Sequence, residues 1–255
     1  MDNFGRCFDN RRMDVLQTVL VAVVFAIAGV VKGISGMGLP TVAMSLLGIF
    51  LAPVQAAALL ILPSLATNVA QCQGPHLREL AQRLWPMWLG LMLACIFSPG
   101  PDLGASAANA RKLLGVVLVL YGLWGLWRPV LPQLCMQNAW SGLVAGALTG
   151  FITAATAVFV IPLVPYLQMQ RLEKDVMIQA LGLSFTVATV ALAIRLHAAD
   201  TFVMTSALTG LALLTALAGT WLGTRLRFNL SQQMFQRVLF VVFVALGGVN
   251  LWRSL

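Results

Sequence analysis

The chain has 255 residues, of which 60% are hydrophobic and 9% are charged, and its mean hydropathy is +0.89. Soluble domains carry about 25% charged residues, so this composition excludes a soluble protein and predicts an all-α, polytopic membrane protein in a single integral domain. The formal net charge of +8 does not indicate a nucleic-acid partner. Most lysines and arginines lie between apolar segments, where membrane topology and anionic lipid headgroups account for them.

The acidic residues and the cysteines limit the kinds of cargo and of site that the sequence predicts. Cation pumps and proton relays usually use carboxylates inside the membrane, whereas all 8 acids of this chain fall near the N-terminus or between apolar segments. We therefore expect an anion or a neutral solute as cargo. The 4 cysteines are scattered and have no histidine cluster beside them, which indicates neither a zinc site nor a redox motif. We expect no metal, no cofactor and no enzymatic activity.

The first apolar run is interrupted. Residues 1–14 are polar, and residues 15–51 are apolar except at 32–40, where a lysine, three glycines and a proline occur. The start resembles a signal peptide, but no cleavage site of small residues stands out, so we interpret it as a retained first helix. Glycine and proline oppose a regular helix, and the run exceeds the roughly 20 residues of one crossing. We therefore predict a broken helix.

A broken helix has a functional meaning in a membrane. Hydrocarbon offers no water to free backbone groups, so a break survives only where protein buries it or where it lines a cavity. Secondary transporters place their substrate sites at pairs of broken helices. Residues 32–40 therefore predict one half of a transport site.

The rest of the first half predicts further helices. In the next one, Pro63 removes a backbone hydrogen bond and predicts a kink. A polar connection is expected after it, and a polar hinge with two prolines is expected before the second half. The predicted segments are the helix at 54–69, the connection at 71–83, crossings at 84–97 and 113–127, and the hinge at 128–138.

The second half repeats this order. Residues 140–168 again exceed a single crossing, and we predict their break at 150–156, with prolines beyond it. The later segments are crossings at 176–194, 202–222 and 238–252, with a short polar link at 195–200.

The two halves align as an internal duplication. Gly29 and Gly33 match Gly146 and Gly150 at the same spacing. We predict two repeats, about 15–127 and 139–252, each opening with a broken helix, and 8 to 10 crossings in all. If the broken segment crosses once, each half has four crossings and both halves share one orientation. If both of its arms cross, each half has five and the halves are inverted; the sequence leaves this choice, and the side facing the cytoplasm, open.

The interrupted segment resembles a known family. Residues 32–38 read Lys-Gly-Ile-Ser-Gly-Met-Gly, and a fainter copy occurs at 150–156. In a chain of this size the pattern resembles the sulfite exporter TauE/SafE family of bacterial permeases, grouped with the toluene-sulfonate uptake permeases. The resemblance implies a multi-pass permease of the bacterial inner membrane that exports or imports sulfite, sulfoacetate or another organosulfonate. The second copy departs from the family, because threonines and alanines stand where glycines are expected, which indicates a reshaped substrate cavity.

The candidate substrate-binding residues are charged, small or hydroxyl-bearing. Lys32 is an ionisable group within a broken apolar segment and therefore a functional candidate; alternatively, its side chain extends to the membrane interface. The glycines would let backbone amides point at an anion or would let helices pack closely. The polar side chains would donate to a sulfonate or would link helices. The full set is Lys32, Gly33, Ser35, Gly36, Gly38, Ser64, Thr67, Asn68, Gly150, Thr153, Thr156 and Ser184.

The functional hypothesis is a secondary transporter that works by alternating access, with a proton or a sodium ion left open as the coupling ion. One alternative is a rhomboid-like intramembrane serine protease, because residues 33–36 match its G-x-S-G motif. Such a serine needs a histidine base, and His76 and His197 fall in a connection and at a helix end. A membrane assembly protein without transport activity is the other alternative, and it leaves the paired breaks unexplained.

Overall fold

A computed structural model describes residues 2–98, 107–127, 138–198, 207–227 and 232–254. In these ranges all regular secondary structure is helical, without strands, and eight helices are long and apolar enough to cross a membrane. This confirms the prediction of an all-α, multi-pass membrane protein. The helices are α1 (Asp2–Ser35), α2 (Leu39–Leu47), α3 (Pro53–Cys72), α4 (Leu77–Phe97), α5 (Ala107–Trp127), α6 (Ala139–Thr156), α7 (Leu163–Met169), α8 (Lys174–Ala198), α9 (Ala207–Leu226) and α10 (Gln232–Trp252).

Two of the predicted polar connections are shorter in the structure than the sequence predicts. Helix α4 begins at Leu77, although a connection is predicted up to residue 83, because Leu80 and Leu84 continue the buried face of the helix through the charged stretch. In the same way Arg195 belongs to the last turn of α8 rather than to a link. Most of the predicted hinge at 128–138 lies outside the described residues.

The first break is shorter than predicted. Helix α1 continues through Lys32 and ends at Ser35, and α2 begins at Leu39. Between them, Gly36 has φ +79° and Gly38 has φ +103°, a left-handed backbone that glycine adopts without a Cβ clash. The break is therefore a tight turn that connects two helices.

The second break is not where the sequence predicts it. Helix α6 continues through residues 150–156, and the break follows at 157–162. The reason is local: alanine favours the helix far more than glycine does, and the hydroxyls of Thr153 and Thr156 donate to the helix's own carbonyls, at 2.7 Å each.

Two pairs of long helices run parallel and touch through glycines. A Cβ on Gly29 would lie 2.4 Å from the Ala216 carbonyl oxygen, and one on Gly33 would lie 2.3 Å from that of Thr220. The residue numbers rise in the same direction on both helices, so α1 and α9 are parallel. Small residues let membrane helices approach to van der Waals distance. The α6–α4 pair repeats this arrangement, with Gly146 beside Met87 and Gly150 beside Leu91.

Two other pairs run antiparallel. Asn68 on α3 faces Thr189 on α8, while Cys72 faces Thr186, so the residue numbers change in opposite directions. Helices α5 and α10 do the same, with Gly115 beside Gly247 and Gly122 beside Phe240.

The two short helices turn back along the bundle. Asn250 donates to the carbonyl of Ser45, and Arg253 donates to that of Ile49, so α2 runs with α10 and away from the end of α1. Tyr166 on α7 lies beside Gly142 near the start of α6, so α7 returns along α6. Each half therefore makes five traverses, one of them short, and the halves run in opposite directions. The duplication itself stays a prediction.

These directions define two ends of the bundle. We call them the Gly36 end, where α1, α3, α5 and α9 end, and the Ala157 end, where α4, α6 and α8 end.

Replacement of Gly146 by alanine tests the glycine contacts. A Cβ there would lie 1.9 Å from the Met87 carbonyl oxygen, which is backbone and cannot move aside. We expect Gly146→Ala to lower the melting temperature of the detergent-purified protein, at an energetic cost of about 1–3 kcal/mol. The matched control is Gly210→Ala, since nothing lies within 4 Å of its Cβ position, and alanine there should leave the melting temperature unchanged or raise it. Equal effects of the two substitutions would contradict the packing.

Candidate functional site

Lys32 is buried at the end of α1. Its side chain is 1% exposed, and its Nζ donates to Thr67 Oγ1 at 3.0 Å and to Asn68 Oδ1. Both acceptors lie on α3, inside the bundle. The alternative in which the lysine extends to the membrane interface is therefore wrong.

The ammonium has no counter-charge beside it in the part of the chain that the structure describes. The acids whose side chains are described there, Glu79, Glu173 and Asp175, are exposed, and Glu79 contacts His76 at 3.5 Å. A buried charge costs several kcal/mol unless it is paired. Thr67 and Asn68 supply dipoles but no negative charge, and they occupy two of the three ammonium donors. The third donor and the net positive charge can serve an anion.

The acceptors of Lys32 are themselves fixed by neighbours. Asn68 Nδ2 donates to Thr189 Oγ1 at 3.4 Å, and Thr189 donates to the carbonyl of Phe185 at 2.7 Å. Thr67 donates to the carbonyl of Pro63 at 2.7 Å. A polar path thus joins α1, α3 and α8 in the centre of the bundle and holds the amide oxygen of Asn68 toward the ammonium.

Ser64 adds a hydroxyl without a partner. Its side chain is 0% exposed, and its Oγ has no hydrogen-bond partner among the described residues. Ser64 lies three and four residues before Thr67 and Asn68, hence on the same face of α3. A buried hydroxyl left unpaired costs about 1–3 kcal/mol, so this group is a donor that a ligand would satisfy.

The turn after α1 is held by side chains. Ser35 Oγ accepts from the Met37 amide at 3.3 Å and donates to the Val31 carbonyl at 2.8 Å. Gln71 Nε2 donates to the Gly36 carbonyl at 3.0 Å, and the Gly36 amide donates to the Lys32 carbonyl at 2.7 Å. Gly36 and Gly38 thus shape the turn, whereas Gly33 packs against α9.

A cavity of about 230 Å³ lies beside this turn at the Gly36 end. Its walls are mostly apolar and include four aromatic side chains, with a few hydroxyl and amide groups. Such walls suit an organic group better than an ion. Its lining comprises Ser35, Met37, Gly38, Tyr121, Trp124, Gly125, Gln168, Gln236, Leu239, Phe240 and Phe243.

The second-half candidates are not joined to Lys32 by hydrogen bonds. Gly150 packs against α4, and Thr153 and Thr156 bond within α6. Ser184 accepts from the Trp88 indole nitrogen at 3.0 Å. The structure therefore brings Lys32, Thr67 and Asn68 together, with Ser64 one turn earlier on the same face of α3, and leaves the other candidates around the two breaks and at helix contacts.

Sequence reasoning misses Thr189. A hydroxyl within an apolar helix is the sequence signal that could have indicated Thr189. Ser184 and Thr186 on α8 give the same signal, so it does not single out Thr189. Only the contact with Asn68, 121 positions away, distinguishes Thr189 from them.

The protease alternative finds no support. The hydroxyl of Ser35 bonds to backbone groups of its own turn. His76 pairs with Glu79, and His197 is exposed at the last turn of α8. Neither histidine is placed as a base for Ser35.

A double-mutant cycle tests the Lys32–Asn68 contact. Asn68→Leu should lower the melting temperature of the wild-type protein, because it leaves a buried ammonium short of an acceptor. In a Lys32→Met background the ammonium is absent, so the same substitution should cost much less. An equal loss in both backgrounds would contradict the contact.

Comparison with known proteins identifies a family. No curated protein and no solved structure matches the chain. The family model described as sulfite exporter TauE/SafE matches residues 21–251, a span that contains Lys32, its two partners on α3, Thr189 on α8 and both breaks. The chain therefore belongs to the sulfite exporter TauE/SafE family of membrane transporters.

Proposed function

We propose that this transporter moves a small sulfur-containing anion, such as sulfite, sulfoacetate or another organosulfonate, across the bacterial inner membrane by alternating access. The observation that carries the proposal is the buried ammonium of Lys32, which has neutral acceptors and a spare donor. The family supplies the class of cargo.

The site chemistry suits an oxyanion. A sulfite or sulfonate group offers several acceptor oxygens and negative charge, and it loses hydration when it enters the bundle. The spare donor of Lys32 would give a charge-assisted hydrogen bond, the stronger kind, and Ser64 would give a second, neutral one. Thr67 and Asn68 would hold the ammonium in place while the anion binds and leaves.

The helix directions support alternating access. Opposed halves, joined by antiparallel α3–α8 and α5–α10 contacts, are the arrangement of inverted repeats, in which rocking of one element against another exposes a central site to each side in turn. The cavity lies at the Gly36 end. At the Ala157 end, Arg195 on α8 donates to the carbonyls of Cys95 at 2.8 Å and Ser98 at 3.2 Å, and so ties that helix to the end of α4.

The binding test is thermal stabilisation by candidate anions. Purified protein would be heated with sulfite, sulfate, thiosulfate, taurine, sulfoacetate or an aryl sulfonate, each well above its dissociation constant. A ligand at 100 times that constant stabilises the folded state by about 2.7 kcal/mol. We expect one sulfur anion to raise the melting temperature of the wild type and not that of Lys32→Met. The control is Lys112→Met, which removes an exposed lysine of α5 and should keep the shift.

Two outcomes would contradict the proposal. A shift retained in Lys32→Met would remove this residue from the site. No shift with any of these anions, together with no flux of them in proteoliposomes under a proton or sodium gradient, would overturn the sulfur-anion assignment.

The tie at the Ala157 end gives a separate prediction about gating. Cys95 is buried there, so its thiol should react slowly with a maleimide. Arg195→Gln removes the charged donor that holds α8 to α4, and we expect labelling of Cys95, read from its peptide by mass spectrometry, to be several-fold faster. The matched control is Arg253→Gln, which loses a bond to the Ile49 carbonyl and should leave the rate unchanged. Equal labelling rates in the wild type and Arg195→Gln would contradict the prediction that Arg195 holds the Ala157 end closed.

A further inference from the structure

A second cavity, with a polar lining, lies at the Gly36 end and does not include Lys32. It measures about 330 Å³ and opens among the first turns of α4 and α6 and the end of α7. Trp85 lines it, and Trp140 follows its lining residue Ala139; the two tryptophans are 55% and 70% exposed, as aromatic residues are where a membrane meets water. The pocket therefore lies at headgroup depth. Its polar lining includes Glu79, Arg83, Asn138, Tyr166 and Gln170.

The pocket holds a positive and a negative charge that do not pair with each other. Arg83 donates through Nε at 3.1 Å and Nη2 at 2.6 Å to the amide oxygen of Gln170. No carboxylate within the described ranges lies within 4 Å of this guanidinium. Glu79, one helical turn away, pairs with His76 at 3.5 Å instead. Gln170 thus fixes the orientation of Arg83 and leaves its charge uncompensated.

An apolar groove adjoins the pocket. It measures about 450 Å³, lies between α6 and α7, and shares Tyr166 with the pocket. Val144 and Leu148 line it, and both are 53% exposed on the outer surface of the bundle. The groove runs from the first turn of α6, at headgroup depth, to the middle of that helix, which is the path of an acyl chain.

We propose that the pocket and the groove together bind one phospholipid with a phosphoethanolamine headgroup. Its phosphate lies against Arg83 and the Tyr166 hydroxyl, its ammonium lies at Glu79, and one acyl chain follows the groove. Basic pockets between membrane helices bind lipid phosphates, and charge-assisted bonds to a guanidinium are the strong ones. The carboxylate of Glu79 selects a headgroup that also carries a hydrogen-bonding cation. The apolar groove selects a lipid over a soluble phosphate ester.

Native mass spectrometry of the delipidated, detergent-purified chain tests this. The probes are phosphatidylethanolamine, phosphatidylcholine, phosphatidylglycerol and diacylglycerol with identical acyl chains, and soluble glycerophosphoethanolamine. We expect phosphatidylethanolamine to bind most tightly. The choline and glycerol lipids should bind less tightly, because neither offers N–H donors to Glu79. Diacylglycerol and the soluble headgroup should bind weakly.

Variants separate the two parts of the site. Arg83→Gln should weaken phosphatidylethanolamine binding about tenfold or more, because a charged hydrogen bond is lost. Arg78→Gln, at an exposed arginine earlier on α4, should not weaken it. Val144→Trp fills the groove without touching Arg83 and should also weaken binding. Its control is Leu120→Trp, at a residue of α5 that is 58% exposed. Glu79→Gln should remove the preference for ethanolamine over glycerol.

Equal binding of the three phospholipids and diacylglycerol by the wild type would overturn the proposal, because the acyl chains alone would then account for binding. So would unchanged affinity in Val144→Trp, which tests the groove even if Arg83→Gln misfolds. Tight binding of the soluble headgroup would show a site for a free phosphate ester instead of a lipid.

Discussion

The structure depends on one constraint, which is that hydrocarbon offers no hydrogen-bond partner to a free backbone group. Both helix breaks are therefore served by side chains. At the first, Ser35 accepts from the Met37 amide and Gln71 donates to the Gly36 carbonyl. At the second, Thr156 accepts from the Val158 amide, and Phe159 packs against Phe185 with ring centroids 5.1 Å apart. A break so supported can persist where a site is needed.

Two neighbouring residues of α1 have different roles: Gly33 allows close helix packing, and Lys32 is the buried cation. Gly33 faces α9, where a Cβ would collide with backbone, and Lys32 faces α3. Consecutive residues of an α-helix point about 100° apart, so α1 can touch two partners at the same level. Gly33 can therefore pack against α9 while Lys32 points at α3, and the role of Lys32 in substrate binding stays a prediction.

Lys32 and Arg83 are oriented in the same way, each by the amide oxygen of a neighbouring side chain. Lys32 is held by Asn68 and Arg83 is held by Gln170, through amide oxygens instead of carboxylates. A carboxylate would orient the cation and also cancel its charge. An amide orients it and leaves the charge to act on a ligand, which unites the proposed anion site and the proposed lipid site.

The sequence by itself determined the membrane class, the long helices, the family and the position of the first break. The class, the helices and the break follow from hydropathy and from glycines and a proline that act on their own backbone, whereas the family follows from the resemblance of residues 32–38 to its glycine-rich segment. It misplaced the second break, because threonines and alanines that replace glycines keep the helix intact. Only the tertiary structure decided the opposed directions of the halves, the packing role of Gly33 and Gly150, and the partners of Lys32. Those partners lie 35 and 36 positions away, and Thr189 lies 121 positions from Asn68. Such contacts depend on how whole helices pack, which no local pattern encodes.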